Sequence, residues 1–339
     1  MSVVIGWDIG GVHLKAARAE SGRVTKVAQY ASPLRSGTER LSQAFAEAKK
    51  DLGRADRHVT TMTGELADIF TSRVEGVERL ANIAARELGG VRIYAGPAGY
   101  VDPEAAHKHF ADIASVNWHA CATLIARKCE HALLIDLGST TTDIVPIIQG
   151  KTVARGYTDA QRLAAGELVY TGMVRGFVMA AANRAPFRGT WTPLVNENFA
   201  TMADVHRILG MLPPDVDLMP TADNRAKTKE ASRARLARML GSDAFDADDE
   251  TWTLVARWFA EAQTRAICDA ANLVLSAGTL PSSTTIVAAG IGRALVDEIA
   301  RRLHCACVGF DQLCAVAPEA RTAACYCAPA VALAVLSSS

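Results

Sequence analysis

Several things are missing from this 339-residue sequence, and each absence removes a class of function. There is no excess of charge, because 36 Lys and Arg face 36 Asp and Glu. Without a net field the chain does not collect nucleic acid or anionic membrane by bulk attraction, so any phosphate site has to be local. There is no basic region followed by a long apolar run after MSVVIG, so no signal peptide is expected. The most apolar late stretch, Ala328 to Leu336, is too short to span a bilayer. Eight cysteines are present, but the C-x2-C spacing of most structural zinc sites is absent. Cys305, Cys307, Cys314, Cys325 and Cys327 are therefore expected as reduced, small apolar side chains in a cytoplasmic protein.

What is present is a strand pattern that occurs twice. Val3 to Ile9 reads as a buried strand, with Asp8 near its end and Gly10-Gly11 after it. Leu14 to Ala19 and Arg23 to Tyr30 continue as a meander. A helix is expected over about 36–52, a strand over 58–64, a helix opening at "ELADIF", and a strand in "VRIYAGPAG". One long helix is expected from Asp102-Pro103 to Lys128. "HALLIDLGSTTTDIVPI" then restarts the pattern, with Asp136 placed 128 residues after Asp8 and "KTVARGY" (151–157) as the third strand. A helix over about 160–183 follows.

The expected fold is α/β: duplicated actin/Hsp70-like, ribonuclease H-like lobes, with mixed sheets flanked by helices and an inserted helical segment. The first lobe is placed at 1–128 and the second at 129–183 plus 249–317. A helix over about 318–336 is expected to pack on the first lobe. Residues 184–248, with Pro186, Pro193, Pro213, Pro214 and Pro220, read as a polar helical insertion that serves as a cap or a homodimer surface.

The chemistry lies in the two hairpins. Glycine lets backbone amides approach a ligand closely, and such amides form an anion-binding concavity. Gly10 and Gly11 in one hairpin, and Gly138, Ser139, Thr140, Thr141 and Thr142 in the other, are candidate diphosphate binders. Asp8 and Asp136 would repel phosphates unless a cation lay between, so they are candidate Mg²⁺ holders, largely through water. Lys15 would neutralise phosphate as a point charge. His13, Glu65 and Asp143 are candidate bases, each with a plainer role as a phosphate contact, a helix-start charge or a hairpin brace. "VAAGIGRAL" places Gly290 and Gly292 at a strand-to-helix turn that could take an anion or a flat polar group. Gly166 and Glu167 could reach the site from a loop, and Asn117 and Trp118 could line a cleft for an aromatic ring. Arg225 and Lys227 are candidates for carboxylate contacts, although "RAKTKEASRAR" also reads as a solvated face.

"DIGGVHLK", "DLGSTTTD" and "AAGIG" resemble, in this order, the phosphate and adenosine motifs of the acetate and sugar kinase, Hsp70 and actin superfamily. "DLGSTTTD" is similar to its hydantoinase/oxoprolinase branch. "TMTGELADIF", "SVNWHA", "GELVYTG", "NFATMADVHRILG" and "TADNRAKTKEASRARLARMLG" extend the resemblance to the tetrahydromethanopterin-linked C1-transfer pathway proteins, whose archaeal relatives are methanofuran core synthases. The resemblance covers nearly the whole chain, including the insertion.

It implies a condensation in methanofuran or methylofuran biosynthesis. An aminomethylfuran-methyl diphosphate joins the phenol oxygen of a γ-glutamyl-tyramine or tyrosine-type acceptor, and diphosphate leaves. Mg²⁺ would be the cofactor, and ATP, if bound, would not be consumed. The partners would be the small-molecule diphosphate and the phenolic γ-glutamyl acceptor, with neither nucleic acid nor membrane. The alternatives are an ATP-dependent small-molecule kinase or hydantoinase/oxoprolinase-type ATPase, and a non-enzymatic nucleotide switch.

Overall fold

The apolar run from Val3 forms β1 (Val3–Ile9), buried almost throughout. It pairs antiparallel with β2 (His13–Glu20), which pairs with β3 (Arg23–Ala31). After α1 (Glu39–Leu52), β4 (Arg57–Met62) lies parallel to β1 on its other side. The helix α2 (Arg73–Leu88), strands β5 (Val91–Tyr94) and β6 (Tyr100–Val101), α3 (Phe110–Ile113) and α4 (Asn117–Ala126) complete the first lobe. The sheet order is β3-β2-β1-β4-β5-β6. This is a computed structural model, and it describes residues 2–338 apart from Thr279 and Ser282.

The second lobe repeats the arrangement. Strands β7 (His131–Leu137) and β8 (Thr142–Ile148) form the equivalent hairpin, and β9 (Lys151–Thr152) follows. Helix α5 (Asp159–Ala165) leads to β10 (Leu168–Val169), which also pairs with β8. After α6 (Val178–Ala181), the insertion contains the hairpin of β11 (Arg184–Phe187) and β12 (Thr190–Pro193), α7 (Met202–Ile208) and α8 (Lys229–Met239). Then come α9 (Asp249–Leu275), β13 (Thr285–Ala289), α10 (Arg293–Arg302), β14 (Cys307–Gly309), α11 (Arg321–Tyr326) and α12 (Ala328–Leu336). Strand β13 is parallel to β7, as β4 is to β1. The duplicated actin/Hsp70-like fold is thus present, with mixed sheets flanked by helices.

A shared core joins the lobes. Val4 and Ala17 of the first sheet and Leu134 and Val145 of the second pack into one cluster with α4 and α12. Helix α12 crosses β1 so closely that a Cβ on Gly6 would lie 2.1 Å from the Ala330 carbonyl oxygen. Among the described residues no single helix is long and apolar enough to cross a membrane. The insertion has its own core, in which Val178, Phe187, Val205 and Leu236 pack on Trp252, Val255 and Phe259 of α9. The first half of α9 therefore packs with the insertion, and its second half with the second sheet.

Several expected helices are broken. "ELADIF" makes successive turns, and α2 begins only after Ser72, whose hydroxyl accepts from the Glu75 amide. The long helix expected to Lys128 stops at Ala114, which bridges to Met62, and restarts as α4. The helix expected over 160–183 ends at Gly166 in the left-handed region, and the chain turns into β10. The final helix bends by 113° between Tyr326 and Ala328. The third strand of the second lobe stops at Thr152, because the amides of Arg155 and Gly156 donate instead to the Glu167 carboxylate.

Candidate active site

The two hairpins close with the same hydrogen bond. The Gly10 amide donates to the His13 carbonyl, and the Gly138 amide to the Thr141 carbonyl, both at 2.9 Å and 128 residues apart. Among the described residues, the amides of Gly11, Val12, Ser139 and Thr140 find no backbone acceptor. The second hairpin is held from beneath: the Met173 amide bonds to the Gly138 carbonyl, and the Val174 and Arg175 amides to that of Ser139. This approach is so tight that a Cβ on Gly172 would lie 2.6 Å from the Ser139 and Thr140 backbone. Both hairpins line one cavity of about 440 Å³ between the lobes. Three buried polar atoms on its wall, Asp8 Oδ1, His13 Nε2 and Ser139 Oγ, have no partner. Buried polar atoms are rarely left so unless a ligand or water completes them.

Register places Lys15 opposite Asp8 and Asp143 opposite Asp136, so equivalent positions of the two hairpins carry opposite charges. Lys15 Nζ lies 3.8 Å from Asp8 Oδ2. Burial raises Asp8, and Lys15 counters it. Asp136 is pushed up to about 7 by burial first, then by Asp143 and Asp8, against the pull of Lys15. Burial would lower Lys15, but Asp8 and Asp136 together hold it above its usual value. Of the three acids around this space, Asp8 pairs with Lys15 and Asp143 with Arg162, while among the described residues Asp136 has no ion pair and Asp8 Oδ1 is unpartnered. These residues fit a divalent cation. Among the described residues no group of three or more His, Cys, Asp or Glu side chains is close enough to hold a bare ion.

Asp143 lines the cavity but is held at 2.7 Å by Nη1 of Arg162. Arg162 is itself buried, donates from Nη2 to the Glu167 carbonyl, and stacks 4.2 Å above the Trp118 ring. The Asp143 carboxylate is thus engaged by the Arg162 guanidinium. His13 is kept neutral, pushed down to about 4 by burial and by the charges of Lys15, Arg175 and Lys227. Asn117 starts α4 on the cavity wall, where its amide favours the charged form of Asp8.

The remaining expected residues sit elsewhere. Thr142 is buried and donates to the Thr171 carbonyl instead of facing the cavity. Trp118 is buried in the shared core and is no cleft wall. Gly166 caps α5, and Glu167 is buried with its carboxylate committed to the Arg155 and Gly156 amides. Glu65 lies behind the wall, where Ser115 Oγ donates to it at 2.7 Å. Gly290 and Gly292 are explained by close packing, since a Cβ there would meet the Leu137 carbonyl at 2.2 Å and the Leu137 side chain at 2.3 Å. Lys227 is held by Asp217, and Arg225 is exposed. The supposed solvated run ends in Arg235, fully buried between Asp204 and Asp223. Cys325 and Cys327 are buried, while Cys305, Cys307 and Cys314 are half-buried.

Sequence reasoning missed Arg162, Ser115, Asp159, Arg35 and Arg175, all on the cavity wall. The Thr158/Gln161 capping box, which fixes the start of α5 and so the position of Arg162, was the available signal.

The hydantoinase/oxoprolinase family profile matches residues 56–337, a span that includes the second hairpin. A Methanocaldococcus jannaschii protein is 32% identical over 243 residues, covering 71% of this chain and 72% of its own length. It is named the synthase of a furan-2-yl-methanamine bearing a γ-glutamylaminoethyl-phenoxymethyl group. A Methanococcus vannielii protein of the same name is 35% identical over 114 residues, 34% of this chain and 51% of that protein. Among solved structures, nucleotide-free acetone carboxylase superposes with a TM-score of 0.57 at 11% identity, over 87% of this chain and 66% of that one. With a matching profile over most of its length and a relative of this identity and coverage, the chain belongs to the hydantoinase/oxoprolinase family.

Proposed function

We propose that this protein forms an aryl ether in methanofuran-type cofactor biosynthesis. It would join an aminomethylfuran-methyl diphosphate to the phenol oxygen of a γ-glutamyl-tyramine or tyrosine-type acceptor. The bond between the methylene carbon and the diphosphate oxygen breaks, and its electron pair leaves with diphosphate. The phenol oxygen bonds to the carbon, and the phenol proton passes to a base. The observation that carries the reading is the pair of hairpins with matching hydrogen bonds that face one cavity and leave Asp8 Oδ1, His13 Nε2 and Ser139 Oγ unpartnered. The name of the Methanocaldococcus jannaschii relative supports the choice of substrates.

The free amides of Gly11, Val12, Ser139 and Thr140 would hold the diphosphate, with Lys15 as a point charge beside it. Asp8 and Asp136 would hold Mg²⁺ through its waters, and the bound ion would neutralise charge developing on the leaving group. The Arg162–Asp143 pair fixes the second hairpin's outer strand against α5. Arg35 and Arg175, exposed on the cavity wall, suit the carboxylates of the γ-glutamyl acceptor.

An ATP-driven reading uses the same hairpins but needs a grip on adenine. The glycines of the third motif pack on Leu137, and the start of α10 beside them lines a separate cavity of about 270 Å³, so the two readings are separated by experiment. The deciding experiment incubates purified protein with Mg²⁺, the furan-methyl diphosphate and a γ-glutamyl phenol, with and without ATP. Ether and diphosphate should form without nucleotide. Product that appears only with ATP, with ADP or AMP accumulating, would reject the condensation.

A further inference from the structure

The condensation must discharge a phenol proton, and two of the three candidate bases, Asp143 and His13, are poorly placed to take it. Asp143 is bound at 2.7 Å to Arg162. Asp8 and Asp136 flank the cation side, and His13 sits in the diphosphate hairpin among positive charges. The third candidate, Glu65, is paired with Ser115, which sits at the break in the helix that was expected to be continuous. Ala114 bridges to Met62 at the end of β4, which turns Ser115 into the left-handed region at φ 55° and onto the cavity wall. A non-glycine residue held there is uncommon and calls for a reason. Its Oγ donates at 2.7 Å to Oε1 of Glu65, three residues beyond Met62. Glu65 is 1% exposed, and its Oε2 has no partner. The backbone of α2 is seated against it, so that a Cβ on Gly76 would lie 2.5 Å from the Glu65 carbonyl oxygen.

We infer that Ser115 and Glu65 form the proton relay for the acceptor phenol. This rests on the condensation proposed above. Ser115 is the catalytic residue, since it lines the cavity, and Glu65 acts through it as a positioning residue that ends up holding the proton. As the phenol oxygen bonds to the furan-methyl carbon, its proton moves to Ser115 Oγ, and the proton of Ser115 moves to Glu65 Oε1. The electron pair of the broken carbon–oxygen bond leaves with diphosphate, so no oxidant or further reactant is needed.

The electrostatics agree. Burial pushes Glu65 up to about 7, while the Ser115 hydrogen bond and its own backbone amide pull it down. Asp159 of α5 raises it and Arg73 of α2 lowers it. Those two form a 2.9 Å ion pair, and Asp159 Oδ2 lies 3.4 Å from Ser115 Oγ. An acceptor near neutrality is matched to a relay working at neutral pH. Only the ionised form can accept, so turnover should rise as pH passes up through about 7 and then level off.

The test uses Ser115→Gly, because glycine adopts a left-handed backbone without strain, which offsets in part the hydrogen bond lost by Glu65. The expected result is a cooperative melt, a kcat lower by about 10²-fold and little change in KM for the diphosphate. Glu65→Gln should lower kcat and abolish the rise near neutral pH. A fluorinated phenol acceptor, ionised at the assay pH, should restore both variants close to the wild-type rate. Full activity of Ser115→Gly with the ordinary phenol, an unaltered pH profile in Glu65→Gln, or equal losses with both phenols would overturn the relay while leaving the condensation intact. A wild-type protein that makes no ether would remove the condensation and the relay together.

Discussion

Asp8 and Asp136 sit at equivalent strand ends, and their burial is costly without a cation or phosphate partner nearby. Asp8→Asn and Asp136→Asn should each lower turnover by about 10²-fold or more with the fold retained, because a preorganised electrostatic group is lost. Purified variants with near-normal kcat would eliminate the two-acid site. Stability should move the other way. Asp136 is pushed up to about 7 from an ordinary 3.8, so the folded protein binds a proton that the unfolded chain has released. That contribution is complete below about 3.8 and is lost as pH rises through about 7. In ligand-free protein, Asp136→Asn should therefore have a higher Tm than wild type above neutrality and a flatter Tm–pH curve. A wild-type Tm that climbs relative to the variant over that range would contradict the assignment. The acids, the glycines and Lys15 were legible because they fall at fixed offsets in a repeated pattern. The Arg162–Asp143 and Ser115–Glu65 pairs were not, since each joins residues from different elements brought together only by folding.

At the scale of elements, strands read more faithfully than helices. The hairpins β1–β2 and β7–β8 follow from β-branched runs ended by glycine, and their registers place both acids as expected. The long helix expected to Lys128 failed where a tertiary pairing, Ala114 with Met62, outcompeted local propensity, and the third strand of the second lobe was cut short where the Arg155 and Gly156 amides pair with Glu167. The segment beneath the second hairpin is a sharp case. Gly172 has no room for a methyl group, and the atoms it would strike are Ser139 and Thr140 backbone, which cannot swing away. Gly172→Ala should therefore lower Tm and weaken diphosphate binding together, by displacing the amides that face the cavity. Gly11→Ala is the control for folding, since a Cβ there meets nothing within 4 Å and Tm should hold. Calorimetric titration of diphosphate with melting curves of both variants checks this, and an unperturbed Gly172→Ala would mean that the hairpin is not shaped from below.

For the whole molecule, the duplication was legible as one pattern met twice, whereas the shared core of α4 and α12 was not, because no periodicity records which sheets a buried helix touches. The polar composition of 184–248 hid a separate core and the buried Arg235 within it. The arrangement of the lobes bears on what the cavity recognises. If both hairpins give amides to the ligand as proposed, a diphosphate bridges the lobes and should stabilise them as a unit. At a concentration of about 100 times Kd such a ligand adds about 2.7 kcal/mol, enough to read as a Tm shift. Mg²⁺ with diphosphate should give that shift, and each should do less alone, since the acids and the anion repel without the cation. Adenine should add nothing, because the proposed condensation calls for no grip on it. ADP should then stabilise no more than diphosphate, and AMP should not stabilise at all. Asp8→Asn should blunt the Mg²⁺-dependent part of the shift. If ADP shifts Tm well beyond diphosphate at equal concentration, the adenosine end is being gripped, the cavity is a nucleotide site, and the ATP-driven reading replaces the condensation.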